Sequence, residues 1–301
     1  MQQSDRAGLL FALSGFCLLS VGDIVAKSIA DEWTPTALAA FRYSLGAIGL
    51  SALLVMREGV KPLREIPRPA IQALRGFGVG LATVTFFASV WLMPLADVVA
   101  ITFTQPMLTA LLASVFLGER LRLTTILATI VAFIGVLVIL RPNFAEIGLA
   151  ALLPLVCAFG MSILIIANRA ARGGGSALAA QAYVAVGAAA LLVPTATIAH
   201  ASGYDAVRFF WPEWHVLARA GAIAVIASTA HWLIFKGTQR AGAATVAPMT
   251  YGQLLIAIVL AWISFDEAPD LISMLGAVLI VGSGLWLWHD SRQRSVPAES
   301  G

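Results

Sequence analysis

Two glutamines have the type and spacing that best fit a polar site within an apolar chain. Gln105 and Gln253 lie 148 positions apart, each near the middle of a long apolar run. A side-chain amide both donates and accepts hydrogen bonds without the cost of burying a charge, so the pair can orient a polar ligand. The same amides can instead bridge neighbouring helices, and the sequence leaves both interpretations open.

Four further side chains are candidates for the same site. Thr102 and Tyr251 share the apolar runs of the two glutamines, Phe86 lies near the middle of another run, and His231 lies towards the end of a third. Hydroxyls can bind polar ligand groups, aromatic rings can line a cavity, and a histidine can carry a proton. The alternative is structural: Phe86 would pack against protein or lipid, and His231 would be an amphipathic residue near an interface.

Four charged residues are predicted to lie at a similar depth, near the outer ends of their spans: Asp23, Lys27, Arg42 and Asp97. Two acids and two bases at one depth predict the pairs Asp23–Arg42 and Lys27–Asp97. Such pairs can act as a gate that breaks when one side opens. A static ion-pair cluster is the structural alternative.

An internal repeat supplies the elements that would position these residues. Residues 96–118 and 244–266 are related by the same shift of 148, and each is followed by a glutamate, Glu119 or Glu267. A repeat in an apolar helical chain is typical of transporters, whose binding sites lie between matched halves near the bilayer midplane.

Composition places the chain in a membrane. Of 301 residues, 59% are hydrophobic and only 12% are charged, and the mean hydropathy is +0.89. Soluble domains have about 25% charged residues. The net charge of +3 is explained by loop topology and does not indicate nucleic-acid binding. The sequence contains no metal-ligand spacing and no phosphate-binding loop, so neither a metal nor a cofactor is expected.

Ten apolar stretches have about the 17–25 residues that a helix needs to cross a bilayer. They are residues 7–27, 35–56, 74–93, 98–117, 123–140, 147–167, 177–199, 214–235, 243–264 and 271–288.

The basic residues predict the orientation. Fourteen lysines and arginines fall in segments on the side of the N-terminus, and three fall in segments on the other side. Both termini are therefore expected in the cytoplasm. Five spans in each half, 1–142 and 143–301, would insert the halves with opposite topology. The predicted fold is thus an all-α integral membrane protein of two inverted five-helix repeats, a design suited to alternating access.

Residues 100–121 (AITFTQPMLTALLASVFLGERL) carry a proline in mid-span and then Gly118-Glu119 at the end of the span. Phe41-Arg42-Tyr43 adds an aromatic-Arg-aromatic signature in the second span. With the ten spans, these motifs resemble the drug/metabolite transporter superfamily, and specifically its EamA-like ten-helix members. The resemblance covers essentially the whole chain.

The second half departs from the family pattern. Leu254 stands where the mid-span proline is expected and Asp266 where the glycine is expected, although Pro248 lies six residues earlier. Glu119 and Glu267, which end the two repeats, are interpreted as structural caps or gate hinges and not as ligands of a substrate.

The resemblance implies a secondary transporter of small polar or amphipathic metabolites in a bacterial inner membrane. Amino-acid or metabolite export is the first expectation, and uptake or exchange of S-adenosylmethionine or riboflavin is the alternative. An integral-membrane lipid enzyme would need a cluster of acids, histidine or serine at one interface, and the sequence offers only sparse candidates. The expected partners are a small-molecule substrate and the lipid bilayer, with no nucleic acid, and the expected functional form is a monomer.

Overall fold

The structure is a computed structural model that describes residues 3–116, 123–171, 175–241 and 249–293. Within these ranges the chain forms α-helices, two short 3₁₀ segments (Gly148–Leu152 and Asp205–Val207) and no strand. The helices are α1 (Gln3–Lys27), α2 (Pro35–Glu58), α3 (Lys61–Arg64), α4 (Pro69–Leu92), α5 (Leu95–Thr102), α6 (Gln105–Phe116), α7 (Leu123–Ile147), α8 (Leu153–Ala170), α9 (Ala177–Ala201), α10 (Trp214–Ala241), α11 (Thr250–Phe265) and α12 (Leu271–Gln293). The all-helical prediction is confirmed.

In the described ranges, nine helical stretches are long and apolar enough to cross a membrane. The predicted span 243–264 corresponds to α11, an apolar helix of 16 residues, and residues 243–248 of that span lie outside the described ranges. The prediction of a membrane protein with about ten apolar helices is confirmed. Gly118, Glu119 and Pro248, which carried part of the family resemblance, lie outside the described residues.

Short polar side chains set several helix ends. The Ser176 hydroxyl accepts a hydrogen bond from the Ala179 N–H at 3.0 Å and begins α9. The Asp270 carboxylate accepts one from the Ser273 N–H at 2.6 Å and begins α12. Helix α11 ends at Phe265, and Asp266 after it has a φ of +55°, in the left-handed region that favours glycine. Each bond satisfies a backbone group that a helix end would otherwise leave without a partner.

The chain forms two compact units. Unit 1 comprises Met1–Ile24, Met93–Gly148 and Val225–Gly301, and unit 2 comprises Val25–Leu92 and Leu149–Ala224. Each unit draws on both predicted halves of the sequence. The halves 1–142 and 143–301 do not coincide with the compact units. That these halves are two inverted five-helix repeats stays a prediction.

Helix α4 is the centre of unit 2, and glycines bring it close to its neighbours. A Cβ on Gly76 would lie 2.5 Å from the Gly187 Cα on α9, and one on Gly78 would lie 2.8 Å from the Gly160 carbonyl oxygen on α8. Side-chain atoms would not fit at either crossing. Such close backbone approach is how helices gain dispersion contacts in a bilayer, where lipid removes most of the hydrophobic drive to associate.

Glycines also allow close helix packing in unit 1. A Cβ on Gly135 of α7 would lie 2.7 Å from the Gly276 carbonyl oxygen of α12, and one on Gly15 of α1 would lie 2.8 Å from the Ala230 carbonyl oxygen of α10. Helices α5 and α11, which contain the repeated segment, also pack against each other within this unit.

Candidate functional site

The helix that carries Gln105 is broken just before that residue. Pro106 has no N–H to donate to the Thr102 carbonyl, and its ring would clash with that carbonyl in a continuous helix. Accordingly α5 ends at Thr102, Phe103 and Thr104 form a turn, and α6 begins at Gln105. The mid-span proline noted in the sequence therefore gives two shorter helices within one apolar stretch.

The break is hydrogen-bonded by its own threonines. The Thr102 hydroxyl donates to the Val99 carbonyl at 2.7 Å, and the Thr104 hydroxyl donates to the Ile101 carbonyl at 2.8 Å. Thr104 is fully buried, whereas Thr102 is half-buried. The Thr102 hydroxyl oxygen keeps its acceptor capacity, so its predicted role with a substrate remains possible through that oxygen.

Phe103 and Tyr251 stack on each other in unit 1. Their ring centroids lie 5.4 Å apart with an interplanar angle of 30°. The two residues are related by the shift of 148 that also relates Gln105 to Gln253. The Tyr251 hydroxyl lies directly against Gly284 on α12, in the space that a Cβ on that glycine would take. The structure thus brings equivalent positions of the two copies together around an aromatic pair.

Gln253 joins α11 to α1 within unit 1. Its Nε2 donates to the Asp23 carboxylate at 3.1 Å, and its backbone carbonyl accepts from the Ser20 hydroxyl at 2.8 Å. A residue predicted for the substrate site and one predicted for the gate are therefore in direct contact. The second amide, Gln105, donates from Nε2 to the Thr109 hydroxyl at 2.8 Å on its own helix. Two sets of contacts in unit 1 thus share helix α11: Gln253 with Ser20 and Asp23, and Tyr251 with Phe103. We call the residues of both sets together the amide cluster.

Arg42 lies in unit 2 among aromatic rings. Its guanidinium carbon lies 5.1 Å from the centre of the Tyr43 ring and 5.8 Å from that of the Phe87 ring. The Thr83 hydroxyl donates to the Tyr43 hydroxyl oxygen at 3.2 Å and holds that ring. We call Arg42, Tyr43 and Phe87 the aromatic cradle. Both rings attract the cation through their electron-rich faces.

The remaining predicted residues are spread over the two units. Phe86 packs against the buried core of unit 2, with its ring 6.3 Å from Phe87, which favours the packing alternative. In unit 1, His231 is exposed on α10 and Asp97 is buried in the first turn of α5. Lys27 is the half-buried last residue of α1 and belongs to unit 2. Both predicted gate pairs would join one unit to the other, and they stay predictions.

Glu267 in unit 1 makes a structural contact. Its carboxylate accepts a hydrogen bond from the Leu95 N–H at 3.1 Å, at the N-terminus of α5. A carboxylate there satisfies a free N–H and favours the positive end of the helix dipole. This geometry agrees with the interpretation of Glu267 as a cap, and the equivalent role of Glu119 stays a prediction.

An ionic network that the sequence did not reveal fastens the α1–α2 connection within unit 2. Arg219 Nη2 donates to Glu32 at 2.6 Å, and Arg219 Nη1 donates to the Ser28 carbonyl at 2.9 Å. His215 Nε2 lies 2.9 Å from the same carboxylate. The hydrogen bond from Arg219, followed by the contact with His215, holds the pKa of the Glu32 carboxyl below its ordinary value of 4.5.

A family profile and several named transporters match this sequence over nearly its whole length. The profile of the EamA-like transporter family matches residues 6–141 and again residues 148–288. The S-adenosylmethionine uptake transporter of Rickettsia bellii is 24% identical over 274 residues, which cover 91% of this chain and 90% of that protein. The riboflavin transporter of Brucella anthropi is 28% identical, covering 87% and 93%. The pseudopaline exporter of Pseudomonas aeruginosa is 24% identical, covering 92% and 94%.

A solved structure shares the fold. A protein crystal structure of 19% sequence identity superimposes with a TM-score of 0.62 and covers 95% of this chain and 98% of its own. At this identity the likeness concerns the fold alone.

Proposed function

Because the chain belongs to the EamA-like transporter family, we propose that it is a secondary transporter of a small organic metabolite. The two sequence halves would alternate access to the substrate from either side of the membrane. The family and the named relatives are transporters, so the lipid-enzyme alternative is not carried forward. The distribution of basic residues supports an orientation with both termini in the cytoplasm. The bacterial relatives support an inner-membrane location.

Two observations within unit 1 carry the proposal: the broken helix and the contacts of the amide cluster. Discontinuous helices in transporters expose backbone and side-chain polar groups at membrane depth, where they bind substrate. Here the break at Phe103 and the Asp23–Gln253 contact place an amide, a carboxylate and an aromatic pair in one unit. We propose that Gln253 and Tyr251 contact the substrate, and that Gln105 and Thr102 do so from the other copy of the repeat.

S-adenosylmethionine is the first substrate to test. Uptake transporters named for it match nine-tenths of this chain. The molecule combines a planar adenine ring, which can stack on aromatic side chains, with an amino-acid group that suits amide and carboxylate partners. Riboflavin is the second candidate, because a riboflavin transporter is 28% identical and its flat ring suits the same aromatic pair. Export of amino acids stays a prediction.

Counterflow in proteoliposomes tests the proposal. Vesicles loaded with unlabelled S-adenosylmethionine, riboflavin or methionine would be diluted into a trace of the same labelled compound, with and without a proton ionophore. We expect saturable accumulation of one compound that survives the ionophore, as in exchange or facilitated diffusion, since Gln105 and Gln253 are neutral. Accumulation that the ionophore abolishes would contradict this and would direct attention to Asp23 and His231.

Variants connect that activity to the site. Gln253→Ala is expected to raise KM by about tenfold, the effect of losing one hydrogen bond to a charged or polar group. Gln181→Ala, the same substitution at an exposed position of α9, is the matched control. Equal activity of the two variants would exclude Gln253 from the site. No counterflow for any compound would overturn the proposed substrates.

A further inference from the structure

The aromatic cradle holds a cation within a membrane-spanning segment. Arg42 is the eighth residue of α2, so its Cα lies about 10 Å along the axis from the first residue of that helix. Phe87 lies five residues before the end of α4, and its contact fixes the guanidinium at that depth and not at the helix end. A charged side chain at this position costs several kcal/mol unless an opposite charge or strong hydrogen bonds compensate it.

Unit 2 offers Arg42 aromatic faces and no anion. Among the described residues of that unit, no carboxylate lies within ion-pair distance of the guanidinium, and no oxygen accepts a hydrogen bond from it. An aromatic face attracts the positive charge but supplies no oxygen acceptor for the five N–H donors of the planar group. Those donors match a carboxylate or phosphate, which can accept two of them at once.

The two neighbouring rings also prepare the guanidinium for such a ligand. The Thr83 hydroxyl fixes Tyr43, and Phe87 is buried with 2% exposure. The guanidinium therefore loses little conformational freedom when an anion binds, which raises affinity. The half-buried state of Arg42 keeps the group accessible.

We propose that Arg42 is a binding site for an oxyanion of the transported substrate, its carboxylate or phosphate group. This inference rests on the proposed function and narrows it to anionic or zwitterionic metabolites. The amino-acid carboxylate of S-adenosylmethionine has this chemistry, whereas riboflavin has none. Asp23, the partner predicted from the sequence, belongs to unit 1. If Arg42 serves only as the gate partner of Asp23, neither its protection from modification nor the effect of Arg42→Gln on KM will depend on the carboxylate of the substrate.

The first experiment measures the accessibility of Arg42 without requiring transport. Purified protein would be treated with phenylglyoxal, which modifies guanidinium groups, and the peptide containing Arg42 would be quantified by mass spectrometry. The arms would contain S-adenosylmethionine, its decarboxylated analogue, inorganic phosphate, or vesicles of phosphatidylglycerol. We expect modification in the free protein and at least about tenfold slower modification with S-adenosylmethionine, but no slowing with the decarboxylated analogue.

Each other outcome has a defined meaning. An Arg42 that does not react, or equal protection by both analogues, would overturn the inference. Protection by phosphatidylglycerol and by no soluble anion would assign the site to lipid phosphate and also overturn it. Protection by inorganic phosphate, together with no counterflow of any compound, would support the oxyanion site while refuting the proposed substrates.

The second experiment compares transport of two ligands by two variants. Arg42→Gln should raise KM for the carboxylate-bearing substrate by about tenfold to a hundredfold, the effect of one charge-assisted pair. For the decarboxylated analogue, the wild type should already show a similarly raised KM, and Arg42→Gln should leave that KM unchanged. Arg42→Lys keeps the charge and serves as the test variant if Arg42→Gln does not fold. Its KM for the carboxylate-bearing substrate should lie between those of the wild type and Arg42→Gln.

Arg208→Gln is the matched control, because Arg208 is an exposed arginine of the same unit. A merely structural role of Arg42 would change transport of both ligands by the same factor, and that result would refute the inference.

Discussion

Helix α12 sets the position of Tyr251 through a missing side chain. A Cβ at Gly284 would fall in the space of the Tyr251 hydroxyl, and it would also lie 3.5 Å from the Met107 Cε. Gly284→Ala therefore forces either the tyrosine or the α12 backbone to move. We expect the tyrosine ring to move first, because a side chain yields more easily than a packed helix.

The magnitude follows from two costs. Inserting a methyl group into a well-packed site costs about 1–3 kcal/mol. Moving the Tyr251 ring off Phe103 gives up a stacked pair, which contributes about 0.5–1.5 kcal/mol beyond burial. The two costs together predict that Gly284→Ala destabilises the protein by about 1.5–4.5 kcal/mol. The KM for transport should also rise, since Tyr251 belongs to the amide cluster.

Thermal unfolding in detergent and counterflow in proteoliposomes measure the two effects. Gly282→Ala is the matched control, because a Cβ at that position of the same helix meets nothing within 4 Å. Tyr251→Phe removes the hydroxyl that Gly284 accommodates. In that background we expect Gly284→Ala to cost clearly less than in the wild type, and the difference is the coupling energy of the pair.

Two results would refute this explanation. If Gly284→Ala and Gly282→Ala had equal unfolding temperatures, the contact between Gly284 and Tyr251 would not restrict the packing. If Tyr251→Phe left the cost of Gly284→Ala unchanged, the strain would come from the α12 backbone and not from the tyrosine.

Three further predictions concern stability. Gly76→Ala should lower the unfolding temperature through a clash with the α9 backbone that costs about 1–3 kcal/mol, whereas Gly49→Ala, with open space around its Cβ, should not lower it. Because the pKa of Glu32 is depressed, its bond to Arg219 stabilises the fold above pH 4.5, and this contribution is lost as the pH falls further. A series of unfolding temperatures measured against pH should show this loss in the wild type and not in Glu32→Gln. Asp266→Ile should destabilise by about 1–2 kcal/mol because a β-branched residue resists a φ of +55°, and Asp266→Gly should be tolerated in the same assay.

Local chemistry made part of the site predictable. Pro106 indicated a kink in its span, and the structure ends α5 at Thr102, four residues earlier, where the missing hydrogen bond requires it. The shift of 148 paired Gln105 with Gln253, and the same shift pairs the two stacked rings, Phe103 and Tyr251. Asp266 explains why a family pattern has glycine there: the position needs a left-handed backbone, which aspartate tolerates.

Contacts between distant segments were not predictable. Glu32 and Arg219 are separated by 187 positions and belong to no motif, so nothing in the sequence connects them. The approach of Gly76 to Gly187 depends on how α4 crosses α9, and the sequence shows only two glycines among 26. Arg42 was predicted as a gate residue from its depth and charge alone, whereas the rings around it became visible only in the fold.

The composition of the two units determines the order in which they can be completed during synthesis. Unit 2 has all its residues once Ala224 has been added, whereas unit 1 begins at the N-terminus and still lacks everything from Val225 onwards. The first helix therefore has only about half of its unit, 80 of 157 residues, while the ribosome adds the 77 residues from Val225 to Gly301. At roughly 5–20 residues per second this takes several seconds. During that interval the nascent chain holds one finished unit and one unfinished unit, and the unfinished one is the form exposed to insertion factors and membrane proteases.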